Sequence, residues 1–390
     1  MNFDEEIDRR GTHSSKWDQM EKLFGVSPEG GIPMWVADMD FRAPQAVENA
    51  LRDYADRGVY GYYGDEDAYR AAVAWWAANR HGWQIEADWI FTTHGLVNGT
   101  ALCLDAFSKP GDGVVLFTPV YHAFARVIRA GGRRVVECPL AVEEGRHVLD
   151  LEDAQSRLTG DETMLIFCSP HNPGGRVWTE DELRAVAEFA RRNDLILVSD
   201  EIHCDLVFPG HRHLPLATAV PEALPRLVMM TAATKTFNIA GAHLGNVIIP
   251  DPELRARFAA RIASQGISAN SMGLFMVTAA FSPEGAEWVD ALMGYLDGNR
   301  QMLDETLNAI PGVRSMPLEA TYLGWADFSG TGMIDDELTR RMHEDARVVP
   351  SPGPSFGTGG SRHLRFNFAT PRARVAQACE RIAAAFSDLQ

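Results

Sequence analysis

The 390-residue sequence has no apolar run that approaches the roughly 18 residues a membrane-spanning helix needs. Residues 1–6 are acidic and lack the basic segment and apolar stretch of a secretory signal peptide. Basic residues are comparatively few, since 36 Lys and Arg stand against 53 Asp and Glu, for a formal net charge of −17. We therefore expect neither nucleic acid nor a membrane as a partner, because both attract basic surfaces.

Paired cysteine motifs are also missing. The five cysteines are scattered, and none forms a Cys-x-x-Cys pair. An odd, dispersed set favours reduced thiols, and so a cytoplasmic protein. No Gly-x-Gly-x-x-Gly follows a predicted strand, which argues against a dinucleotide-dependent dehydrogenase.

The composition is that of an ordinary globular protein, with 46% hydrophobic and 23% charged residues and no internal repeat. A chain of this length exceeds what one hydrophobic core usually supports. We predict a large domain over residues 46–286. A smaller α/β domain is predicted from residues 1–45 together with 287–390, ending in a helix over about 372–386.

Short β-rich runs alternate with helical patterns between about residues 85 and 250, which predicts an α/β fold with a mostly parallel sheet between two helical layers. Each run is continuously apolar or β-branched, as in buried parallel strands. Thr179 and Glu182 form a capping box that starts a helix between the third and fourth runs. The runs are residues 114–117, 134–137, 164–167, 195–198 and 227–230, with a further strand at 245–249.

Three polar residues follow successive strands of this predicted sheet. Asn172 lies in Ser169-Pro-His-Asn-Pro-Gly-Gly175, Asp200 closes the next run, and Lys235 lies in Thr231-Ala-Ala-Thr-Lys-Thr-Phe-Asn238. Ligands of such sheets bind beyond the carboxyl ends of the strands. A lysine that forms a Schiff base, a carboxylate for a ring nitrogen and an amide for a ring hydroxyl predict pyridoxal 5′-phosphate as the cofactor.

The segment Thr92-Thr-His-Gly-Leu-Val-Asn98 precedes an apolar helical stretch. Gly95 can turn the chain there, and the free amides of Leu96 and Val97 at the helix start would face a phosphate. A plain helix-capping loop is the alternative. Its place ahead of the three polar residues favours the phosphate.

Two more residues are candidates for the site. Tyr121 follows the first run and could stack on the cofactor ring, although core packing accounts for it almost equally well. Arg365 is an isolated cation in the apolar run Leu364-Arg-Phe-Asn-Phe368, where an unpaired charge is costly. A substrate carboxylate would satisfy it, and an internal salt bridge is the alternative.

A metal-dependent hydrolase is a rival from a different class. Five potential ligands lie close together in the sequence, but their spacing matches no established metal-binding pattern. We therefore expect no metal site. The five are His203, Cys204, Asp205, His211 and His213.

The chain resembles fold-type I pyridoxal-phosphate enzymes of the class I and II aminotransferase superfamily, and within them the MalY/PatB group of cystathionine β-lyases. The resemblance extends nearly end to end. It is carried by Asp8-Arg-Arg-Gly-Thr12, Lys16-Trp-Asp18, Pro33-Met-Trp-Val-Ala-Asp-Met-Asp-Phe41, Tyr60-Gly-Tyr62, Ser169-Pro-His-Asn-Pro-Gly-Gly-Arg-Val-Trp178, Ser199-Asp-Glu-Ile-His203, Lys235-Thr-Phe-Asn-Ile-Ala-Gly241, Thr321-Tyr-Leu-Gly-Trp325, Ser351-Pro-Gly353 and Arg365-Phe-Asn-Phe-Ala-Thr-Pro371.

This resemblance implies a seven-stranded sheet in the large domain and a homodimer with a shared active site. It implies that Lys235, Asp200 and Tyr121 are catalytic, and that the substrate is a small amino acid bound by Arg365, Tyr62, Tyr121 and Asn172. Tyr62 would reach the phosphate of the neighbouring subunit. The implied cofactor-binding set is Gly95, Leu96, Val97, Tyr121, Asn172, Asp200, His203, Thr234, Lys235 and Tyr62.

The sequence departs from the family pattern at Ala232, where a phosphate-binding serine is usual three residues before the lysine. Either Thr231 or Thr234 compensates, or phosphate binding depends on Leu96, Val97 and Tyr62. His203 stands where many relatives carry a tyrosine.

The implied activity is α,β-elimination of L-cystathionine or related cysteine S-conjugates to a thiol, pyruvate and ammonia. A class I and II aminotransferase is the alternative, because it shares every step up to loss of the α-proton.

Overall fold

A computed structural model describes residues 1–389. The helices are α1 Ser15–Asp18, α2 Met20–Phe24, α3 Gln45–Asp56, α4 Asp67–His81, α5 Leu96–Phe107, α6 His122–Ala130, α7 Leu151–Arg157, α8 Glu180–Arg192, α9 Leu216–Ala219, α10 Ala233–Thr236, α11 Pro252–Gln265, α12 Ser271–Ala280, α13 Pro283–Asn308, α14 Asp335–Arg340 and α15 Arg372–Ala385. The strands are β1 Ile32–Met34, β2 Ile90–Thr93, β3 Gly113–Thr118, β4 Arg134–Pro139, β5 Ala141–Glu143, β6 Arg146–Val148, β7 Glu162–Cys168, β8 Ile196–Asp200, β9 Leu227–Thr231, β10 Gly245–Ile248, β11 Arg314–Ser315, β12 Leu323–Asp327, β13 Val348–Pro352 and β14 His363–Asn367.

The larger sheet has seven strands in the order β2-β10-β9-β8-β7-β3-β4. Strands β4, β3, β7, β8 and β9 pair in parallel, whereas β10 is antiparallel to both of its neighbours. All five apolar runs and the sixth predicted strand belong to this sheet. The predicted α/β fold with a mostly parallel seven-stranded sheet is therefore confirmed.

Helices cover both faces of this sheet, and the strand side chains alternate between two hydrophobic cores. Val114 and Leu116 of β3 pack on one face with α5, α6 and α11. Val115 and Phe117 pack on the other face with α4 and α8. Burial on both faces is what removes the polar alternation from these strands.

Strand β4 corrects one expectation. Residues 134–137 read as a continuously buried strand, but β4 lies at the edge of the sheet and its burial alternates. Arg134 is exposed and pairs with Asp161, with 2.5 Å between their charged atoms. Val136 and Cys138 on one face of β4 are buried, whereas Val135 and Glu137 on the other face are only partly covered, and this difference explains the alternation.

The second sheet has five strands in the order β1-β13-β14-β12-β11. Strand β1 pairs in parallel with β13, with Ile32 opposite Val348. The N-terminal segment therefore joins the C-terminal part of the chain. The division into residues 46–286, and 1–45 with 287–390, stays a prediction, and its second boundary falls near the start of α13.

The capping box predicted at Thr179 and Glu182 is present at the start of α8. The Thr179 side chain accepts a hydrogen bond from the Glu182 amide, and the Glu182 carboxylate accepts one from the Thr179 amide.

Over the described residues, no helix combines the length and apolar character needed to cross a membrane. All five cysteines are free and buried.

Candidate active site

A cavity of about 660 Å³ opens at the carboxyl ends of the central strands. Asn172 follows β7, Asp200 is the last residue of β8, and Lys235 lies in α10 just after β9. All three line the cavity, as the predicted order of strands requires. Also in its lining are the predicted residues Gly95, Leu96, Val97, Tyr121, His203, Thr234 and Arg365.

Lys235 has its amine buried beside the N-terminal segment. Its Nζ donates a hydrogen bond of 2.6 Å to the carbonyl of Ala37. Burial lowers the pKa of Lys235 to about 8, although the Asp38 and Asp200 carboxylates partly oppose this effect. An amine with a pKa near 8 can accept and return a proton near neutral pH.

Asp200 is a buried carboxylate at the end of β8. Burial raises its pKa to about 7, and the hydrogen bond of 3.1 Å that it accepts from the Ile202 amide is too weak to offset this. A buried acid without a cation against it is costly to ionise. A protonated ring nitrogen in the cavity would supply that cation.

Arg365 reaches the cavity from β14 of the smaller sheet. Its guanidinium donates to Asn172 Oδ1 at 3.0 Å, the Trp35 carbonyl at 2.7 Å and Ser351 Oγ at 3.2 Å. These acceptors are all neutral, and the buried Nε of Arg365 has no partner among the described residues. The salt-bridge alternative is therefore wrong, and the free charge is suited to an incoming carboxylate.

Tyr121 and His203 complete the centre of the cavity. Tyr121 caps α6, and its half-buried ring lies edge-on to Phe124 with the ring centres 5.5 Å apart. His203 is buried, and its Nδ1 has no partner among the described residues. Burial lowers the pKa of His203 to about 3, so the ring is neutral and can donate or accept one hydrogen bond.

The phosphate end of the cavity is formed by the start of α5. Gly95 precedes this helix with a φ of 80°, and no side chain caps it, so its first amides are open to the cavity. Thr234 lines the same cavity. Three further residues of the lining, His94, Asn98 and His243, were not singled out from the sequence.

Thr231 and Thr234, the two threonines that could replace the usual phosphate-binding serine, lie in different cavities. Ala232 and Thr231 line a different, smaller cavity beneath the sheet. Thr231 Oγ1 accepts a hydrogen bond of 3.3 Å from Asn246. Of the two, only Thr234 lies in the lining of the larger cavity.

The N-terminal motifs act as a scaffold for Lys235. Asp40 is buried and accepts hydrogen bonds from Lys16 Nζ at 2.7 Å and Trp17 Nε1 at 3.0 Å. Burial alone would raise the pKa of Asp40, but Lys16 lowers it to about 2. Asn238 in turn bonds the Met39 amide at 2.9 Å. These contacts hold the segment that presents the Ala37 carbonyl, a residue the sequence did not mark as part of the site.

Tyr62 lies outside the cavity. Its side chain is fully exposed, with a relative accessibility of 107%, and it borders a surface groove with Tyr60 and Ser268. That groove adjoins the phosphate end, because His94 Nε2 lies 2.9 Å from the Ser268 carbonyl oxygen. A role for Tyr62 in this cavity stays a prediction.

The potential metal ligands that are close in sequence have separate contacts. His213 pairs with Glu201 at 2.7 Å, whereas His203 faces the cavity. Asp205 forms a group with His81 and Cys204 whose ligand atoms lie within 4.8 Å of one another. Its carboxylate is already occupied by His81 at 2.7 Å, Trp76 at 2.9 Å and Thr236 at 2.8 Å.

Comparison with known proteins identifies the family to which the chain is similar. The family described as aminotransferase class I and II matches residues 34–382. The cystathionine β-lyase PatB of Bacillus subtilis is 38% identical over 390 residues, covering 99% of this chain and 100% of the relative.

Solved structures give the same result. Cystalysin from Treponema denticola, whose crystal structure contains pyridoxal 5′-phosphate, is 34% identical with a TM-score of 0.94, covering 100% of this chain and 99% of its own. A PLP-bound putative aminotransferase from Clostridium difficile is 34% identical with a TM-score of 0.95, covering 99% of both chains. The resemblance read from the sequence motifs is confirmed.

Proposed function

Because the chain belongs to the class I and II aminotransferase family, we propose that it is a pyridoxal-phosphate-dependent carbon–sulfur β-lyase. Its substrates are L-cystathionine or related cysteine S-conjugates, which it cleaves to a thiol, pyruvate and ammonia. The observation that carries the proposal is the convergence of Lys235, Asp200 and the uncompensated Arg365 on one cavity. The relatives named as cystathionine β-lyases support the choice of reaction.

The residues present fit the cofactor. His203 Nδ1 and Arg365 Nε are buried polar atoms without partners among the described residues, and both side chains line the cavity. Lys235 would hold the cofactor aldehyde, Asp200 its ring nitrogen, and Asn172 and His203 its ring oxygen. The amides of Leu96 and Val97, with Thr234, would hold its phosphate. When bound, pyridoxal phosphate accepts electron density from the substrate α-carbon.

The protein's own groups divide the remaining work. Arg365 binds the substrate carboxylate and so fixes the α-carbon near Lys235. The substrate amine would displace Lys235 from the aldehyde, and the freed Lys235 amine then takes the α-proton, which its lowered pKa permits. A protonated ring nitrogen would keep the Asp200 carboxylate ionised. The carbon–sulfur bond then breaks, the thiolate leaves with the bonding electron pair, and water completes the release of pyruvate and ammonia.

Transamination is the second candidate, because the putative aminotransferase from Clostridium difficile is as similar in fold as the lyases. The two reactions differ after loss of the α-proton. An amino acid without a β-leaving group, added in stoichiometric amount, distinguishes them. Conversion of the bound cofactor to its amine form favours transamination, and an unchanged cofactor favours the lyase.

The cofactor itself is tested first. Purified protein should show the absorbance of a lysine-bound pyridoxal near the boundary of the visible and ultraviolet. K235A should lose this band, and with it the release of thiol from L-cystathionine. A band that persists in K235A would show that another residue holds the cofactor.

The proposal includes a homodimer with a shared site. A fully exposed tyrosine ring is unusual, and Tyr62 lines a surface groove together with Tyr60, whose side chain is also exposed. A second copy covering this surface would bring Tyr62 to the phosphate end of its neighbour's cavity. Light scattering tests the dimer, and a monomer at assay concentration would refute it.

A cytoplasmic location also belongs to the proposal. It is supported by the five free cysteines, which a reducing compartment would keep unpaired. Fractionation of the source cells, with detection of the protein in the soluble cytoplasmic fraction, tests it.

A further inference from the structure

A second groove lies beside the candidate active site. It encloses about 510 Å³, and His122 lines both the groove and the larger cavity. Phe356 provides a second connection, because its buried ring lines the groove while the guanidinium carbon of Arg365 lies 4.8 Å from the ring centre. The groove therefore begins next to the residue that would bind the substrate carboxylate.

Two arginines and one carboxylate, Arg126, Arg129 and Glu137, line this groove. Arg129 pairs with Glu137 at 3.5 Å, and Glu137 also accepts hydrogen bonds from the Thr358 amide at 2.9 Å and hydroxyl at 2.6 Å. No described carboxylate pairs with Arg126, which lies on the same face of the groove one turn earlier in α6. Arg126 is exposed to solvent, and of the two arginines in this lining it is the one without a carboxylate partner among the described residues.

A buried hydroxyl adds a polar group to the same lining. Thr118 is 2% exposed, and its Oγ1 has no partner among the described residues. Desolvation lowers the pKa of His122 to about 4, and Arg365 and Arg126 add to this effect. His122 is therefore neutral at neutral pH, and it adds no charge to the lining that the groove and the larger cavity share.

We propose that this groove is the leaving-group subsite, in which Arg126 binds a carboxylate carried by the departing thiol. The inference rests on the proposed β-lyase function and narrows its substrate class. Arg365 takes the carboxylate next to the α-carbon, and Arg126 takes a second one beyond the sulfur. The favoured substrates are cysteine thioethers with an anionic group on the thiol side, and a plain S-alkyl cysteine leaves Arg126 unused.

The test compares two substrates and two variants of the holoenzyme. L-cystathionine carries the distal carboxylate, and S-ethyl-L-cysteine lacks it. In R126Q, kcat/KM for L-cystathionine should fall about tenfold, mainly through KM, which is the scale of one charge-assisted hydrogen bond. For S-ethyl-L-cysteine, kcat/KM of R126Q should stay within about twofold of the wild-type value. R129Q, which removes the cation already matched by Glu137, should change the ratio of the two substrates far less.

An equal loss on both substrates, no loss on L-cystathionine, or the same selective loss in R129Q would overturn the assignment of Arg126. Should the wild type release no pyruvate from either compound, the lyase function fails separately. Calorimetric binding of the two compounds then decides the subsite. R126Q must weaken the binding of L-cystathionine more than that of S-ethyl-L-cysteine. Equal affinities of R126Q and the wild type for L-cystathionine would refute the proposed role of Arg126.

Discussion

Replacement of Arg365 tests how the substrate is held. Its guanidinium is buried, makes three hydrogen bonds to neutral acceptors and leaves Nε free. A carboxylate bound through two charge-assisted hydrogen bonds would gain about 3–5 kcal/mol. In R365L we expect kcat/KM for L-cystathionine to fall by about 10²–10³, because these bonds are not fully additive. R365K should recover part of the loss, since lysine keeps the charge without the planar fork.

The assay is pyruvate release by the holoenzyme, and thermal unfolding of cofactor-free samples of the same variants serves as the control. Removal of a buried cation without a counter-ion stabilises the folded state and offsets the loss of its three hydrogen bonds, so R365L should unfold at a temperature close to that of the wild type. A kcat/KM within threefold of the wild type would refute carboxylate binding by Arg365. A lower unfolding temperature in R365L would show that the guanidinium is structural.

Three other variants probe the charges and the assembly. Because folding raises the pKa of Asp200 from 3.8 to about 7, the cofactor-free protein loses stability as pH rises through that interval. D200N should therefore raise the free energy of unfolding by up to about 4 kcal/mol at pH 8 and by little at pH 4. An equal gain at both pH values would refute the claim that burial raises this pKa. The pKa of Asp40 is instead lowered to about 2, so its stabilisation is present above pH 3.8 and lost as pH falls toward 2. D40N, which strands the buried Lys16, should cost about 3–5 kcal/mol in urea unfolding at pH 7, and a cost below 1 kcal/mol would contradict the scaffold. Mixing inactive K235A with Y62F should restore activity in hybrid dimers, because one of their two sites is then intact; no gain would argue against a shared site.

The sheet and its three polar residues could be predicted because they depend on local patterns. Continuous apolar runs identify buried parallel strands, and the residue after each run lies at the ligand-binding edge. The burial of strand β4 was the exception, since a sequence run does not show how completely each face of an edge strand is covered. Lys235, Asp200 and Asn172 needed only the order of the strands.

Contacts between distant segments could not be predicted in the same way. The Ala37 carbonyl reaches Lys235 across almost two hundred residues, and only the folded N-terminal segment shows this. The free Nε of Arg365 and the separation of Thr231 from Thr234 are likewise properties of packing. The groove at Arg126 required knowing which arginine of α6 has a carboxylate beside it.

The most direct measurement is the stoichiometry of L-cystathionine turnover by the purified holoenzyme with no keto acid present. The account predicts equal amounts of thiol and pyruvate over many turnovers, and none from K235A. A single turnover that converts the cofactor to its amine form, without release of thiol, would contradict the β-lyase.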